Sequence, residues 1–305
     1  MKRPLQCILI AGILMSTARN VSAQQKAQFT QYMFNGLILN PAYAGTEEAL
    51  SLTFLNRNQW VSIEGAPVTQ TFSGHTLFTN KHLGLGLSFI NDKIGVHKNQ
   101  NLWTSLSYHL KVSQNAFLSM GLQGGLNIRK ADYTTISGGT MDPGLINSNF
   151  SHTYFNLGMG IYYRSPKLHI GISAPEIIPE KFSVSDTVTI TWQMAQYFLF
   201  VKYRISLNDN LDLEPSLLIK YQMDVPISYD LNACFVIKKA LTLGLSYRKK
   251  ESIDFLLKAQ LTPQLQFGYT YDYVTGEVSN RSSGSHELMV NYLFKYTQNK
   301  IASPR

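Results

Sequence analysis

The stretch AFLSMGLQGGLNIR, residues 116–129, alternates apolar and polar side chains with a period of two. Successive side chains of a β-strand point to opposite faces of the sheet. One face would then carry Leu118, Met120, Leu122, Leu126 and Ile128, and the other would carry Ser119, Gly121, Gln123, Gly125, Asn127 and Arg129. The first face suits lipid and the second a wet interior, which is the pattern of a transmembrane barrel strand.

The same alternation continues to the end of the chain and predicts fourteen antiparallel strands, most of them near the ~9–11 residues that cross a bilayer at a tilt. An even number is expected of a single-chain bacterial barrel. The predicted strands are 49–60, 68–78, 83–90, 99–112, 116–129, 152–163, 167–173, 191–205, 211–221, 226–237, 241–248, 253–260, 264–273 and 286–294.

The links between these predicted strands fall into two groups. Every second link, beginning with 79–82, is short, whereas the other group contains every long link, including 130–151, 174–190 and 274–285. Outer-membrane barrels have short periplasmic turns and longer external loops. The sequence therefore predicts that both termini face the periplasm and that the long links lie outside the cell.

The composition agrees with a chain that hides apolar surface by alternation. Charged residues make up 15% of the chain, whereas soluble domains average about 25%. No run of 18 apolar residues follows the N-terminal region, so no transmembrane helix is expected. A large soluble β-sandwich would fit the composition equally well. Without Lys2, Arg3 and Arg19 of the predicted N-terminal signal, the 27 basic residues fall to 24 against 19 acidic ones, and this net charge of 24 − 19 = +5 is too mild to indicate nucleic-acid binding.

The N-terminal residues resemble a secretory signal. Lys2 and Arg3 precede an apolar stretch at 5–15, and small residues end at Ala23, which predicts cleavage there and export to the outer membrane. We therefore divide the chain into a signal peptide at 1–23, an N-terminal segment at 24–48, a barrel at 49–294 and a tail at 295–305. Cys234 would be the one cysteine left after cleavage, and its place in a strand pattern predicts a packing role.

The segment 24–48 does not alternate, and it is too apolar for a free linker. It contains Phe29, Tyr32, Met33, Phe34 and Leu37, followed by a turn marked by Pro41 and Gly45. One interpretation is a plug that folds back into the lumen. The other is a periplasmic docking element, and the two are compatible.

Motifs of catalysis and metal binding are not evident in the sequence. Ser151–His152 and Ser285–His286 are the serine–histidine neighbours, but adjacent residues of a strand face opposite ways and cannot form a dyad alone. The histidines have no metal-ligand spacing, and His109 and His169 lie on polar strand faces where lumen hydrogen bonds are expected. We therefore predict that the protein is not an enzyme and that it needs no cofactor or metal.

Several ordered motifs resemble the PorP/SprF family across nearly the whole chain after the signal. They are Gln28-Phe29-Thr30-Gln31-Tyr32-Met33-Phe34-Asn35, Asn40-Pro41-Ala42-Tyr43-Ala44-Gly45, Arg57-Asn58-Gln59-Trp60, Gly65-Ala66-Pro67-Val68-Thr69-Gln70-Thr71, Leu83-Gly84-Leu85-Gly86-Leu87, Asn91-Asp92-Lys93-Ile94-Gly95 and Gly284-Ser285-His286-Glu287-Leu288-Met289. The stretch 36–39 departs from the family, in which a proline is expected near its first position.

The resemblance implies an accessory outer-membrane barrel of the type IX secretion system of Bacteroidota. Its expected partners are the periplasmic ring of that machine and a secreted or surface protein with a C-terminal sorting domain, including adhesins in gliding cells, besides outer-membrane lipid. No catalytic residues come with the family. The motif positions expected to contact partners are Gln31, Tyr32, Asn40, Pro41, Tyr43, Gly45, Arg57, Asn58, Gln59, Trp60, His286 and Glu287.

The functional hypothesis is a scaffold that holds cargo through its external loops, since a rigid barrel presents variable residues there. The main alternative is a passive solute porin, because a barrel of this size can enclose water. A lipid hydrolase is the third. An open lumen would favour the porin, whereas an ordered segment 24–48 within the lumen would oppose it.

Overall fold

The computed structural model describes residues 27–47, 49–78, 82–132, 149–185, 188–276 and 278–294. The predicted signal peptide, the tail 295–305 and most of the external link 130–151 lie outside these residues. Two short 3₁₀ turns, Gly36–Ile38 and Pro41–Tyr43, precede the strands. The strands are β1 (Leu50–Asn58), β2 (Val68–Leu77), β3 (Leu83–Ile94), β4 (His97–Ser113), β5 (Ala116–Asp132), β6 (Asn149–Arg164), β7 (Leu168–Glu176), β8 (Glu180–Ser185), β9 (Val188–Gln193), β10 (Gln196–Tyr203), β11 (Ile205–Asn208), β12 (Leu211–Gln222), β13 (Val225–Ile237), β14 (Leu241–Arg248), β15 (Ser252–Gln260), β16 (Leu265–Val274) and β17 (Ser285–Phe294).

The strands close into a fourteen-stranded antiparallel barrel, as the sequence predicts. Successive strands pair with each other from β1 to β7 and from β12 to β17, β1 pairs with β17, and β10 pairs with both β7 and β12. The segments β10 and β11 both pair with β12 and form one interrupted barrel strand. None of the described helices is long and apolar enough to cross a bilayer.

Two stretches differ from the predicted strand boundaries. Residues 191–193, predicted to begin the strand 191–205, instead belong to β9, which pairs with β8 in a separate two-stranded hairpin that extends past the predicted link 174–190. The predicted link 91–98 shrinks to a tight turn at 95–96, because the polar residues on either side continue the pairing of β3 with β4. The alternation of apolar residues reveals a strand where one of its faces contacts lipid. Where both faces contact water, as at the ends of β3 and β4, the alternation disappears although the strand continues.

The two faces of the barrel wall have the polarity that the period-two pattern requires. The outward face carries exposed apolar residues, such as Leu122 at 64% exposure and Phe155 at 53%. The inward face carries buried polar residues, among them Ser105, Asn127 and Asp254. Cys234 is buried and has no disulfide, consistent with a packing role.

The links keep the predicted asymmetry. One end of the barrel has the turns at 78–82, 114–115, 165–167, 209–210, 238–240 and 261–264, and the other end has the longest links, at 59–67, 133–148, 177–195 and 275–284. The short-turn end is therefore assigned to the periplasm and the long-link end to the exterior. The strands β1 and β17 begin and end at the periplasmic side.

Candidate functional site

The N-terminal residues 27–47 run through the lumen from its outer half to its periplasmic end. At the outer end, Arg248 donates from Nη1 to Oε1 of Gln28 at 3.1 Å. At the periplasmic end, Arg164 donates from Nη1 to the carbonyl of Thr46 at 2.6 Å. Between them the segment is mostly buried, and its side chains contact walls on opposite sides of the barrel. This segment, here named the lumen segment, is the centre of the candidate site.

An ionic cluster holds the start of the lumen segment. Glu287 of β17 accepts the backbone N–H groups of Thr30 and Gln31 at 2.9 and 2.7 Å. Arg57 of β1 bridges Glu287 at 3.1 Å and Asp272 of β16 at 2.7 Å. Side chains of Arg57, Asp272 and Glu287 are at most 2% exposed. Charges so deeply buried need partners. Here the backbone N–H groups of the lumen segment are among the partners of Glu287.

The hydroxyl of Thr30 joins the two halves of this cluster. It donates to Asp272 at 2.9 Å and accepts from Arg57 at 2.8 Å. Arg248 of β14 donates to the carbonyl of Phe29 at 3.2 Å. The ionic cluster, defined as Arg57, Arg248, Asp272 and Glu287, therefore fixes the height at which the lumen segment crosses the barrel.

A second set of contacts anchors the segment near the periplasmic end. Asn40 caps the second 3₁₀ turn by accepting the N–H of Ala42 at 2.9 Å. Its amide also donates to the carbonyl of Ile161 on β6 at 3.0 Å. His109 of β4 binds the carbonyl of Ala44 at 2.8 Å through Nε2 and the hydroxyl of Ser119 at 2.7 Å through Nδ1. His109 is thus a lumen hydrogen-bonding residue, as the polar strand face predicts, and His169 likewise binds the hydroxyl of Tyr162.

Glycines on the inward wall let this turn approach the strand backbone. A Cβ on Gly121 of β5 would overlap the backbone nitrogen of Ala42, and one on Gly160 of β6 would overlap Oδ1 of Asn40. Gly45 has a φ of +77°, and a Cβ there would come within 2.8 Å of the Cα of Gly84. The small residues in the sequence pattern of β5 and β6 therefore serve close packing between the segment and the wall.

We expect Gly121→Ala to lower the free energy of unfolding by ~1–3 kcal/mol, the usual cost of adding a methyl to a packed interior. The urea midpoint of the protein refolded in detergent, followed by tryptophan fluorescence, measures the change. Gly124→Ala on the same strand is the matched control, because its Cβ would meet the side chains of Phe155 and Leu157 at ordinary distances of 3.4 and 3.5 Å. Equal midpoints for the two variants would contradict the close packing.

A large cavity opens above the lumen segment on the external side. Its volume is about 1180 Å³. The segment forms its floor through Phe29, Leu37 and Leu39, while Trp60, Trp103 and Tyr154 lie along its sides. Lys250 and Glu251 lie at the link between β14 and β15 and line its rim. The lumen therefore has an accessible outer half and a filled inner half.

The end of β7 and the residues after it fold inward over one side of this cavity. The carbonyl of Pro175 accepts the amide of Gln123 at 2.7 Å, and Oδ1 of Asn156 accepts the N–H of Ile178 at 2.9 Å. Glu180 pairs with Arg129 at 3.1 Å. Burial raises the pKa of Glu180 above its usual value, and the charge of Arg129 opposes that shift. These contacts bring the root of the β8–β9 hairpin to the inner wall.

Most of the motif residues predicted from the sequence are used within the chain. Gln31, Arg57 and Glu287 meet in and around the ionic cluster, and each is at most 2% exposed. The hydroxyl of Tyr32 accepts from Asn232 at 2.7 Å. Tyr43 packs edge-on against His75 and Tyr162. These positions account for the folding of the lumen segment, and their contact with partners stays a prediction.

The remaining motif residues lie apart. Gln59 and Trp60 line the outer cavity, whereas Asn58 and His286 pair across β1 and β17 on the outward face. The sequence reading missed Asp272 and Arg248, together with the buried Asp230 and Asp254. All four are charged residues at strand positions that alternate with the lipid-facing ones. Such a position indicates a side chain that faces the lumen.

Among the described residues, no group of three or more histidine, cysteine or acidic side chains is arranged to hold a metal ion. The alternation places Ser151 outward and His152 inward, where His152 lies 3.8 Å from Glu180. Ser285 faces inward and accepts the backbone N–H of Trp60, while His286 faces outward toward Tyr269. In each of these two pairs, the serine and histidine side chains therefore lie on opposite faces of the barrel wall.

Solved structures of outer-membrane proteins share this shape. A monoaromatic hydrocarbon channel, CymD, aligns with a TM-score of 0.51 at 13% identity, covering 86% of this chain and 92% of its own. The Acinetobacter baumannii outer membrane protein Omp33 aligns with a TM-score of 0.49 at 9% identity, covering 83% of this chain and 100% of its own. At such identities the likeness concerns the fold alone.

No curated protein is significantly similar to this chain in sequence. The model of one protein family, described as type IX secretion system membrane protein PorP/SprF, matches residues 21–292. That match covers the lumen segment and nearly the whole barrel. It also agrees with the motif resemblance and with an outer-membrane barrel fold of a kind that is not enzymatic. The chain therefore belongs to the PorP/SprF family of type IX secretion system membrane proteins.

Proposed function

We propose that this barrel is a scaffold that holds an exported or surface-attached sorting-domain protein at the outer membrane. The observation that carries the proposal is the division of the lumen. The periplasmic half is filled by the protein's own lumen segment, while the external half is an open cavity of about 1180 Å³. A partner can enter this cavity from outside, and the segment obstructs solute passage beneath it.

The filled half weighs against the passive porin. A porin needs a continuous water-filled lumen, whereas here residues 27–47 bind the walls through the ionic cluster and the contacts of Asn40 and His109. Some barrels are plugged by their own chain and serve other purposes. The scaffold hypothesis needs only a fixed barrel and an outer surface that recognises cargo.

The periplasmic partner would meet a different surface. Most of the lumen segment is enclosed, so docking to the periplasmic ring of the secretion system would rest on the short turns and on the segment's end near Thr46. The turn at 238–240 exposes Lys238 and Lys239. These residues offer a test position on the periplasmic side.

Site-specific crosslinking in native membranes tests the scaffold function. We expect a photo-crosslinking phenylalanine analogue in place of Lys250, at the cavity rim, to capture a large sorting-domain protein. The same analogue in place of Lys239 is the matched control, because it replaces a lysine at the opposite end of the barrel. Mass spectrometry of the products identifies the captured chains, and a sorting-domain protein should appear only at position 250.

Gene deletion supplies the second readout. The surface and secreted proteomes should lose at least one sorting-domain protein in the deletion strain. Unchanged proteomes, together with an analogue at position 250 that captures no cargo, would contradict the scaffold hypothesis and favour the passive porin. Conductance measurements would then decide between an open and a closed lumen.

A further inference from the structure

Three lysines form a row on the outward face of the barrel near its external end. Lys93 on β3 is directly opposite Lys98 on β4, and Lys98 is directly opposite Lys130 on β5. All three side chains are exposed. They lie on the same side as Leu106 and Leu122, which the barrel presents to lipid. This set is here named the lysine row.

The polarity of these strands changes stepwise toward the row. Phe89, Leu102 and Leu126 form an exposed apolar row across the same three strands. The next outward positions are Asn91, Gln100 and Ile128, where the amide of Gln100 donates to Asn91 at 3.3 Å. The lysines follow. On β3 and β4 the order is apolar, then amide, then cationic, which matches the change from hydrocarbon to headgroup in a membrane leaflet, while β5 goes from apolar Ile128 directly to its lysine.

The lysine row carries an excess of positive charge within the part of the chain that the structure describes. No hydrogen bond or ion pair joins any of its three ammonium groups to a described residue. Asp92 lies next to Lys93 in the chain but faces the lumen and accepts the Thr69 hydroxyl at 2.6 Å. Asp132, two residues after Lys130 on β5, shares its outward parity and brings one negative charge beside three positive ones. Like charges placed directly opposite on neighbouring strands repel each other, and a multivalent anion would relieve that repulsion.

The opposite wall of the barrel is built differently at the same end. Its outward positions there carry tyrosines with between 43% and 57% exposure, namely Tyr197, Tyr221, Tyr247 and Tyr273. Tyrosines at this level are the usual interfacial anchors. Of the two lysines near them, Lys249 donates to the carbonyl of Ile227 at 3.1 Å and lies 5.3 Å from the centre of the Tyr229 ring, and Lys250 lines the cavity rim. The lysine row is therefore a local feature of the β3–β5 wall.

We propose that the lysine row binds the phosphate groups of an anionic glycolipid of the outer leaflet, of the lipid A type. The acyl chains would lie along Phe89, Leu102 and Leu126, and the sugar hydroxyls would meet the amides of Asn91 and Gln100. Lysine serves phosphate as a compact point charge with three donors. The site is separate from the outer cavity and does not depend on the cargo hypothesis.

Native mass spectrometry of the full mature protein in neutral detergent tests this site. The probes are diphosphoryl lipid A and the same glycolipid without phosphates. The triple variant Lys93→Gln, Lys98→Gln, Lys130→Gln removes the row. The matched control is Lys167→Gln, Lys238→Gln, Lys239→Gln, which removes three exposed lysines from periplasmic turns. Heat-dependent gel mobility verifies that each variant is a folded barrel.

We expect the row variant to bind diphosphoryl lipid A about a hundredfold more weakly than the unaltered protein, given the usual contribution of each lysine near an anionic lipid surface. The periplasmic variant should bind as the unaltered protein does, and the lipid without phosphates should not distinguish the three. Equal affinity in the row variant and the unaltered protein would overturn the proposal. Full displacement of the lipid by millimolar inorganic phosphate would also overturn it, because the site would then be one for free phosphate.

Discussion

Deleting residues 27–46 is expected to convert this barrel into an ion-conducting pore. Eight-stranded barrels are filled by their own side chains, whereas barrels of 16–18 strands leave an aqueous channel. A wall of fourteen strands lies closer to the second case. In this molecule the space is taken by the lumen segment, so its removal should leave a polar channel lined by residues such as Ser105, Asn127 and Asn232.

Planar bilayers provide the measurement. The unaltered protein should give little current, and the deletion variant should give large, voltage-independent steps. Heat-dependent gel mobility verifies that the deletion variant is a folded barrel. If it is not folded, Gly121→Ala replaces it in the conductance measurement, since this substitution loosens the lumen segment without removing it. Large conductance from the unaltered protein would contradict the closed lumen and favour the porin.

The barrel could be predicted from the sequence because lipid imposes one rule on every strand. Residues such as Leu118, Met120 and Leu122 must face hydrocarbon, so the period of two survives along the whole wall. The rule stops at the ends of the strands. Residues 188–193 alternate like a barrel strand, yet they pair in the β8–β9 hairpin, because a hairpin in water obeys the same local pattern.

The lumen segment was visible in the sequence only as an apolar stretch with a turn. Its path depends on contacts between residues 200 or more positions apart, such as Gln31 with Glu287 and Tyr32 with Asn232. Such pairings leave no local periodicity. One local signal does exist. Arg57, Arg248 and Asp272 all occupy inward positions of their strands, and charged residues at such positions predict contacts within the lumen.

The external end of the molecule combines two surfaces, the outer cavity and the lysine row, for which we propose different partners. The cavity faces the axis of the barrel and is rimmed by Lys250 and Glu251. The lysine row faces the opposite way, toward lipid. In the proposed scaffold, the lipid contacts of the lysine row would fix the wall while the cavity would hold the bound surface protein.

Arg57→Met should be the most destabilising single substitution in the wall. It leaves Asp272 and Glu287 buried without the cation that bridges them at 2.7 and 3.1 Å. Removing one partner of a buried ion pair costs about 3–5 kcal/mol, because the remaining charge stays desolvated. We therefore expect a loss of that size in the free energy of unfolding, together with a lumen segment that is more readily cut by protease.

Urea unfolding of the refolded barrel measures this loss, and Arg281→Met is the matched control. Arg281 is exposed in the link 275–284, and its hydrogen bond comes from its backbone N–H, so its replacement should change stability by less than about 0.5 kcal/mol. Adding Asp272→Asn and Glu287→Gln to Arg57→Met removes the unpaired charges and should restore much of the stability. If the triple variant were as unstable as Arg57→Met alone, packing of the arginine rather than its charge would be the stabilising element.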